Sequence, residues 1–232
     1  MLQPPDAVQR NVTSLDMHKG AQRHVSLRDQ AYNAIKRLII TCELRPGELL
    51  SEPALSTQLD IGRTPIRQAI DRLLGDGLVE VMPRKGTIVK PVSLDEIFNV
   101  IDVRVVNETF CVRVAAAQAG SEVAAQLRRN LDAMLAAARQ REIETIADLD
   151  QQFHALIAGS TRNPVMSDLL RNLHERSARM WFISLSANEQ HLRICDEHAA
   201  IVDGIARQDP DLAERAMRAH IASFRANITR QV

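Results

Sequence analysis

Four residues in the second half of the chain could together hold a metal ion: Asp150, His154, His198 and His220. Counted at 100° per residue, each lies inside or at the edge of the apolar stripe of its predicted helix. An unpaired polar group in such a stripe costs about 1–3 kcal/mol, and a buried charge costs more. Convergence on one cation removes that cost, and one carboxylate with three imidazoles suits Zn²⁺, with Ni²⁺ or Mn²⁺ as alternatives. The pattern therefore predicts a divalent metal site with positions open to water or a ligand oxygen.

The spacing of Asp150 and His154 supports this prediction. Residues four apart share one face of a helix, with about 5–6 Å between their Cβ atoms, so both can reach one ion. The alternative for each histidine taken singly is a hydrogen-bonded residue of the core. His174 and His191 lie nearer to the stripe edges, and we expect them to be surface residues or to support the ligands from behind.

The elements that must position these residues are helices. After a linker at Pro91-Val92, a capping box from Ser93 to Glu96 opens the first of them. Asn163-Pro164 and Asp209-Pro210 each place a cap residue before a proline of the first turn. We predict an all-helical bundle of six or seven helices in residues 92–232, with helices over 93–119, 121–139, 142–159, 164–186, 188–208 and 210–229.

The first part of the chain has a different pattern. Residues 1–25 show no period, and we expect a disordered arm. Periodicity and caps then predict three helices, over 26–42, after Ser51 and over 63–75. Two short extended segments follow, joined by the basic tetrapeptide Pro83–Gly86. This order is the winged helix-turn-helix arrangement, which we place in residues 26–91. The predicted fold class is thus mainly α, with two domains after the arm.

The third helix carries the residue types that read DNA. Its N-terminal turns point Arg63, Thr64 and Arg67 away from the apolar stripe. Arginine can chelate the O6 and N7 atoms of guanine, and threonine with the terminal N–H groups can bind phosphate. The hairpin tip, Arg84-Lys85-Gly86, would lie along the flanking DNA backbone or minor groove. The alternative is a solvated helix face with ordinary surface charges.

Composition bounds the class of protein. Lys and Arg number 29, as do Asp and Glu, but residues 1–91 carry 13 against 10 and hold every lysine. Nine Gly and nine Pro argue against an all-β or collagen-like chain, and an aromatic share of 3% argues against an RNA-stacking platform. The three cysteines are widely spaced and no apolar run approaches 18 residues. We therefore expect a cytoplasmic protein without disulfides or a membrane segment.

One stretch is specific enough to name a family. The segment PGELLSEPALSTQLDIGRTPIRQAIDRLLGDGLVEVMPRKGTIV resembles the DNA-binding domain of the GntR family of bacterial transcription regulators, and the resemblance covers 27–91. It implies that Arg63, Thr64, Pro65 and Arg67 stand at operator-reading positions. The chain departs from the family pattern at four positions, which are Pro53, Asp60, Gly62 and Gln68. These departures leave open which DNA bases the protein prefers.

The helical part resembles FCD, the effector domain of FadR-type GntR regulators, over about 93–229. A subset of that family binds a divalent metal through one Asp and three His, and a small carboxylic acid coordinates the metal. The resemblance places that role on Asp150, His154, His198 and His220, and it disfavours a fatty-acyl effector. Arg104 and Glu108 match the first-helix pattern. Arg104 is a candidate to bind the effector carboxylate or to orient a metal ligand, and a buried salt bridge to Glu108 is the alternative.

These observations lead to the hypothesis that the protein is a ligand-responsive transcription regulator and not an enzyme. We expect a homodimer that places two copies of helix 63–75 in the half-sites of operator DNA, and repression as the default mode. One alternative is a metal-dependent enzyme acting on a small carboxylate, with Glu197 as base. It leaves the DNA reader unexplained, and Glu197 lies about 100° around the helix from His198. Another alternative is a regulator whose metal is purely structural.

Overall fold

The computed structural model describes residues 26–118, 121–187 and 191–230, so the predicted arm over 1–25 lies outside the described residues. The described chain folds into helices with one two-stranded sheet. The elements in chain order are α1 Leu27–Ile40, α2 Glu52–Leu59, α3 Arg63–Gly75, β1 Val79–Met82, β2 Gly86–Val89, α4 Leu94–Gln118, α5 Ser121–Gln140, α6 Ile143–Ser160, α7 Pro164–Ala187, α8 His191–Ala206 and α9 Pro210–Thr229.

The first three helices and the hairpin form a winged helix-turn-helix domain with its own apolar core. Ser26 caps α1 by accepting a hydrogen bond from the Asp29 amide, and Ser51 does the same for Ala54 in α2. The strands pair antiparallel, with Met82 opposite Gly86. A buried set from all three helices and both strands fills the core, including Ile35, Ile39, Ile66, Leu73 and Val89.

The six helices α4 to α9 form a bundle around a second and larger apolar core. Asp209 caps α9 by accepting hydrogen bonds from the amides of Asp211 and Leu212, and the amide of Met166 donates to Asn163 at the start of α7. Each helix turns one apolar stripe inward. The largest fully buried side chains of the bundle lie on α4, α5, α6 and α7, and they are Ile101, Leu127, Met134, Ile146, Phe153, Ile157 and Leu185.

The two domains touch where α1 and the linking segment meet α6 and α7. Of the two reciprocal hydrogen bonds of the predicted capping box, the one to the Ser93 side chain forms, since the Glu96 amide donates to Ser93 Oγ at 3.4 Å. The Glu96 carboxylate instead pairs with Lys90 Nζ at 2.8 Å and with Arg176. Arg179 donates to the Lys90 carbonyl at 2.8 Å. The start of α4 is therefore held by charges from α7 and the linker.

Among the described helices, none combines the length and the apolar character that crossing a bilayer requires.

Candidate metal centre and nucleic-acid interface

Asp150, His154, His198 and His220 come together inside the bundle. Asp150 and His154 lie four apart on α6, His198 lies on α8 and His220 on α9, and all four are buried. One ligand atom from each lies within 4.8 Å of the others. Asp150 Oδ1 is 3.3 Å from His198 Nε2 and 3.8 Å from His154 Nε2. These three atoms are buried without a hydrogen-bond partner, as expected of a donor set arranged for a cation.

Each of the three rings is held from behind through its Nδ1 atom. The Nδ1–H of His198 donates to the Ile194 carbonyl at 2.9 Å, and that of His220 donates to Glu197 Oε2 at 3.0 Å. Nδ1 of His154 is in contact with Glu108 Oε2. An acceptor at Nδ1 selects the tautomer whose Nε2 carries a free lone pair, which is the form that ligates metals. Nε2 is thus the nitrogen that each of the three rings has left for a metal, and in His154 and His198 it faces Asp150.

The electrostatics of the cluster favour neutral rings beside a charged carboxylate. Burial lowers the pKa of His154, and burial with the neighbouring His198 lowers the pKa of His220 to about 4. Burial acts to raise the pKa of Asp150, but the neighbouring rings of His198, His154 and His220 hold it below its ordinary value. A deprotonated carboxylate with neutral imidazoles is the protonation state that divalent metal binding needs.

Arg104, Glu108 and His174 form a second polar layer next to this cluster. The predicted pair exists, with Arg104 Nε 2.6 Å from Glu108 Oε1, and His174 Nε2 lies 3.3 Å from the same oxygen. Glu108, His154 and His174 also meet the spacing of a metal-binding trio. Burial acts to raise the pKa of Glu108, but Arg104, His154 and His174 together hold it well below its ordinary value. Glu108 is therefore an ionised acceptor shared by three cationic or polar neighbours.

The surface position expected for His174 and His191 is wrong, because both side chains are buried. His174 lies against Glu108, which in turn contacts His154. That His174 supports the metal ligands from behind therefore stays a prediction. His191 Nε2 is 2.9 Å from the Leu185 carbonyl, so it joins the end of α7 to the start of α8. Neither position could be derived from one helix, since the partner of each ring lies on another element.

A small cavity of about 40 Å³ opens beside Asp150. Its polar lining includes Arg104, Ser177 and His174, and Arg104 Nη1 donates to Ser177 Oγ at 3.3 Å. Trp181 also lines it, and the Nε1–H of Trp181 is buried without a hydrogen-bond partner. Two carboxylates, Asp148 and Asp150, also line it, and the other polar groups include several hydrogen-bond donors. We call this cavity the inner chamber, and its chemistry fits a carboxylate.

The predicted DNA-reading residues form an exposed patch at the N-terminus of α3. Arg63, Thr64 and Arg67 are exposed and Pro65 is partly so. Gly62 at the N-cap gives no side-chain hydrogen bond, so the first amides of α3 remain available for a phosphate. Sequence reasoning missed Glu52 of α2, whose carboxylate accepts three hydrogen bonds from Arg67 at 3.0, 3.2 and 3.3 Å. Glu52 holds the Arg67 guanidinium at this patch.

The wing tip presents its basic residues to solvent. Arg84 and Lys85 are exposed between the paired ends of β1 and β2. Arg84 at φ 64° and Gly86 at φ 106° make the left-handed backbone of the tip. Any other residue at position 86 would strain the backbone, because residues with a Cβ atom disfavour this positive φ. The tip therefore has the shape and charge for a DNA backbone contact.

The metalloenzyme alternative gave Glu197 the role of a base. The structure instead shows Glu197 behind His220, accepting its Nδ1–H and 3.8 Å from Arg193. Burial acts to raise the pKa of Glu197, but the hydrogen bond from His220 holds it below its ordinary value. A carboxylate in that position supports a ligand ring and does not face the inner chamber.

Two family models match the chain. The model for bacterial regulatory proteins of the gntR family matches residues 27–89, and the FCD domain model matches residues 99–223. Together they cover the winged domain and most of the bundle. Both families comprise transcription regulators, so the chain is a regulator and not an enzyme.

Curated relatives and solved structures agree with these matches. The HTH-type transcriptional repressor RspR of Escherichia coli K12 is 26% identical over 86% of this chain and 87% of its own length. The Nta operon transcriptional regulator of Aminobacter aminovorans is 30% identical over 68% and 76%. The fold matches that of Escherichia coli McbR/YncC, with a TM-score of 0.79, 22% identity and coverage of 89% and 99%. The chain belongs to the GntR family of bacterial transcription regulators and carries an FCD domain behind its DNA-binding domain.

Proposed function

We propose that this regulator binds a divalent metal ion through Asp150, His154, His198 and His220, and a small carboxylic acid in the inner chamber beside it. The acid changes the affinity of the protein for operator DNA. The observation that carries the proposal is the arrangement of the three rings, each with an acceptor at Nδ1 and a ligand atom within 4.8 Å of the same buried carboxylate. Buried polar groups without partners are rare in folded proteins, and a shared cation accounts for these.

The charges of the site favour an anionic ligand. Asp150 offsets one of the two charges of a divalent cation, the three rings are neutral, and Arg104 and Glu108 offset each other. One positive charge is left on the metal, next to the hydrogen-bond donors of the inner chamber. Asp148, the second carboxylate of the lining, is under the electrostatic influence of Lys36. When bound, the metal supplies a Lewis acid for a carboxylate oxygen, while Arg104 and Ser177 can hold that carboxylate in place. Three nitrogens and one oxygen suit Zn²⁺ first, then Ni²⁺ or Mn²⁺.

The homodimer needed for a palindromic operator finds support on α4. Val103, Val106 and Phe110 are 43%, 69% and 51% exposed, although they are apolar. At 100° per residue they fall on one stripe, with the partly exposed Val114 one turn further. An isologous contact between two such stripes buries them and pairs two reading helices across a two-fold axis. We propose this dimer as the form that binds DNA in the bacterial cytoplasm.

Repression is the proposed default mode. RspR and the gluconate operon repressor of Bacillus licheniformis, which is 26% identical over 77% of this chain and 79% of its own length, are both named as repressors. A bound acid that weakens operator binding would release such a repressor. A coupling of about 1–3 kcal/mol between the two sites changes affinity about 5–150-fold.

The metal part is tested by titrating Zn²⁺ into chelator-stripped wild type, Asp150→Asn and the matched control Asp196→Asn. Asp196 is an exposed carboxylate of α8 near His198. We expect one Zn²⁺ per chain in wild type and control, and an affinity at least about 100-fold lower in Asp150→Asn, since changes behind a ligand already cost 10–100-fold. Equal affinities in all three proteins would rule out this ligand set.

The acid part is tested on zinc-loaded protein with operator duplexes recovered by selection from random DNA. A panel of two- to six-carbon carboxylic acids is first screened by thermal shift, and fluorescence anisotropy then measures operator affinity with each acid. We expect at least one acid to raise the melting temperature and change operator affinity about fivefold or more. A metal whose removal melts the fold, with no acid altering DNA binding, would indicate a structural ion and refute the effector.

A further inference from the structure

The wall of the inner chamber includes a residue from the DNA-binding domain. Ile40, at the end of α1, lines the chamber together with Asp150, Arg104 and His174 of the bundle. The ligand site of the effector domain is thus completed by the domain that binds DNA. A change in the pose of α1 changes the shape of the chamber directly.

Two larger cavities flank the chamber. One of about 370 Å³ lies between α6 and α7, and the other of about 390 Å³ lies between α1 and α6. Gln151 lines both of them and the inner chamber as well. The chamber has room for two or three water-sized groups, which is enough for a carboxylate. Asp148 also lines all three, so any larger acid must extend past Asp148 and Gln151 into a flanking cavity.

Gln151 is one end of a polar chain that reaches the DNA-binding domain. Its side-chain amide donates to Glu175 Oε1 at 3.1 Å, and Glu175 Oε2 is paired with Lys36 Nζ of α1. The side chains of Lys36 and Glu175 are 15% and 6% exposed, so their charges are poorly screened. We call Gln151, Glu175 and Lys36 the interdomain bridge.

The bridge is joined to the site at two points along the chain. Gln151 follows the metal-ligand candidate Asp150 on α6, and Glu175 follows His174 on α7. A ligand that displaces Asp150 or His174 in the chamber therefore also moves the adjacent bridge residue, Gln151 or Glu175. A ligand body that separates Gln151 from Glu175 leaves the buried carboxylate with Lys36 as its remaining partner, and a half-satisfied buried charge is costly.

We infer that the inner chamber is a composite site closed by the DNA-binding domain, and that the Lys36–Glu175–Gln151 bridge carries the coupling between acid binding and operator affinity. The inference rests on the proposed function. It adds a size rule, since an acid confined to the chamber leaves the bridge intact while a longer acid displaces Gln151. It also assigns the coupling to one ion pair among those that cross between the domains.

Arg37 provides a matched control for Lys36. It is the next residue of α1 and pairs with Glu144 of α6 at 3.0 Å, but both side chains are 54% exposed. Lys36→Met and Arg37→Met each remove one positive charge and one interdomain ion pair from the same helix. Solvent screens exposed pairs and leaves them a small contribution, so we expect the loss at Arg37 to have little effect.

The test uses the full-length, zinc-loaded protein with acetate, succinate and adipate as probes. For wild type and Arg37→Met we expect succinate or adipate to change the operator Kd about fivefold or more, and acetate to change it less than twofold. For Lys36→Met we expect the change to fall below twofold, while the thermal shift caused by the same acid persists. The double variant Lys36→Met/Glu175→Gln, which leaves no buried unpaired charge, should behave as Lys36→Met does.

The outcomes separate this inference from the proposed function. If the acids shift the melting temperature and alter DNA binding equally in wild type, Lys36→Met and the double variant, the bridge does not carry the coupling and the inference is wrong. An effect of acetate as large as that of adipate would overturn the size rule. If none of the three acids shifts zinc-loaded wild type, no carboxylate of this class occupies the chamber, and the inference fails together with the effector.

Discussion

At the scale of single residues, the reading surface depends on a contact between two short helices. Arg67 extends from α3, and its guanidinium is held by Glu52 of α2. The pairing with Arg67 lowers the pKa of the Glu52 carboxyl, so this acid stays charged at neutral pH. An arginine held in one orientation loses less side-chain freedom when it binds a base. Glu52 therefore serves the reading helix without needing to touch DNA itself.

Arg67→Ala and Lys85→Ala should weaken DNA binding in different ways. If Arg67 contacts a guanine bidentately, its loss costs about 1–3 kcal/mol on the operator and little on unrelated duplex. Loss of a phosphate contact from Lys85 weakens all duplexes to a similar degree and lowers the salt slope by about one. Anisotropy titrations over a range of salt concentrations distinguish the two. An operator affinity unchanged in Arg67→Ala would show that another residue reads the bases.

At the scale of elements, the site depends on how closely α8 and α9 approach. Gly204 of α8 faces the start of α9, and a Cβ atom at position 204 would lie 2.6 Å from the Ala213 nitrogen and 2.7 Å from its Cα. Glycine is thus required there by packing, not by backbone conformation. The same two helices carry His198 and His220, so their separation sets the distance between two ligand rings.

Gly204→Ala should destabilise the protein and weaken zinc binding together. Backbone atoms at that contact cannot move aside cheaply, and overpacking costs about 1–3 kcal/mol. The matched control is Gly159→Ala near the end of α6, where an added Cβ meets nothing within 4 Å. We expect that control to be neutral or more stable by up to about 1 kcal/mol. Urea denaturation and Zn²⁺ titration measure both effects, and a stable Gly204→Ala with normal zinc affinity would contradict the packing argument.

At the scale of the whole molecule, two domains with separate cores meet where α1 and the linker contact α6 and α7. Lys36 of α1 pairs with Glu175 of α7, and Arg179 of α7 donates to the Lys90 carbonyl of the linker. These contacts are charged or polar, in contrast to the apolar cores on either side. Relative motion of domains is the expectation for an interface with such contacts, which suits the proposed coupling between acid binding and operator affinity.

Val106→Glu should convert the proposed dimer to a monomer. A charge in the middle of the α4 stripe would be buried without a partner in the dimer. Val165→Glu is the control, since Val165 is 76% exposed on α7 and lies away from that stripe. Sedimentation analysis should give the mass of two chains for wild type and control and of one chain for Val106→Glu. A dimeric Val106→Glu would mean that the two-fold contact lies elsewhere.

Periodicity and caps were sufficient to locate the helices and to pick out the four residues of the candidate metal centre. The apolar stripes of three separate helices each contain one or two polar residues, which need a partner if they are buried. That need can be recognised from the sequence of each helix alone. The partners behind the rings, Glu108 and Glu197, could not be assigned in that way. Each lies on a different helix from the ring that it supports, so the pairing depends on how the helices pack.

By itself, the sequence determined the two-domain order, the family and the residues that could bind metal and DNA, because local periodicity, cap residues and motif spacing encode these features within short windows. The tertiary structure decided which Nδ1 acceptor stands behind each ring, why His174 is buried, and that α1 closes the chamber. Those features join residues that are far apart in the chain, and their physical cause is the packing of helices whose relative positions no short window specifies.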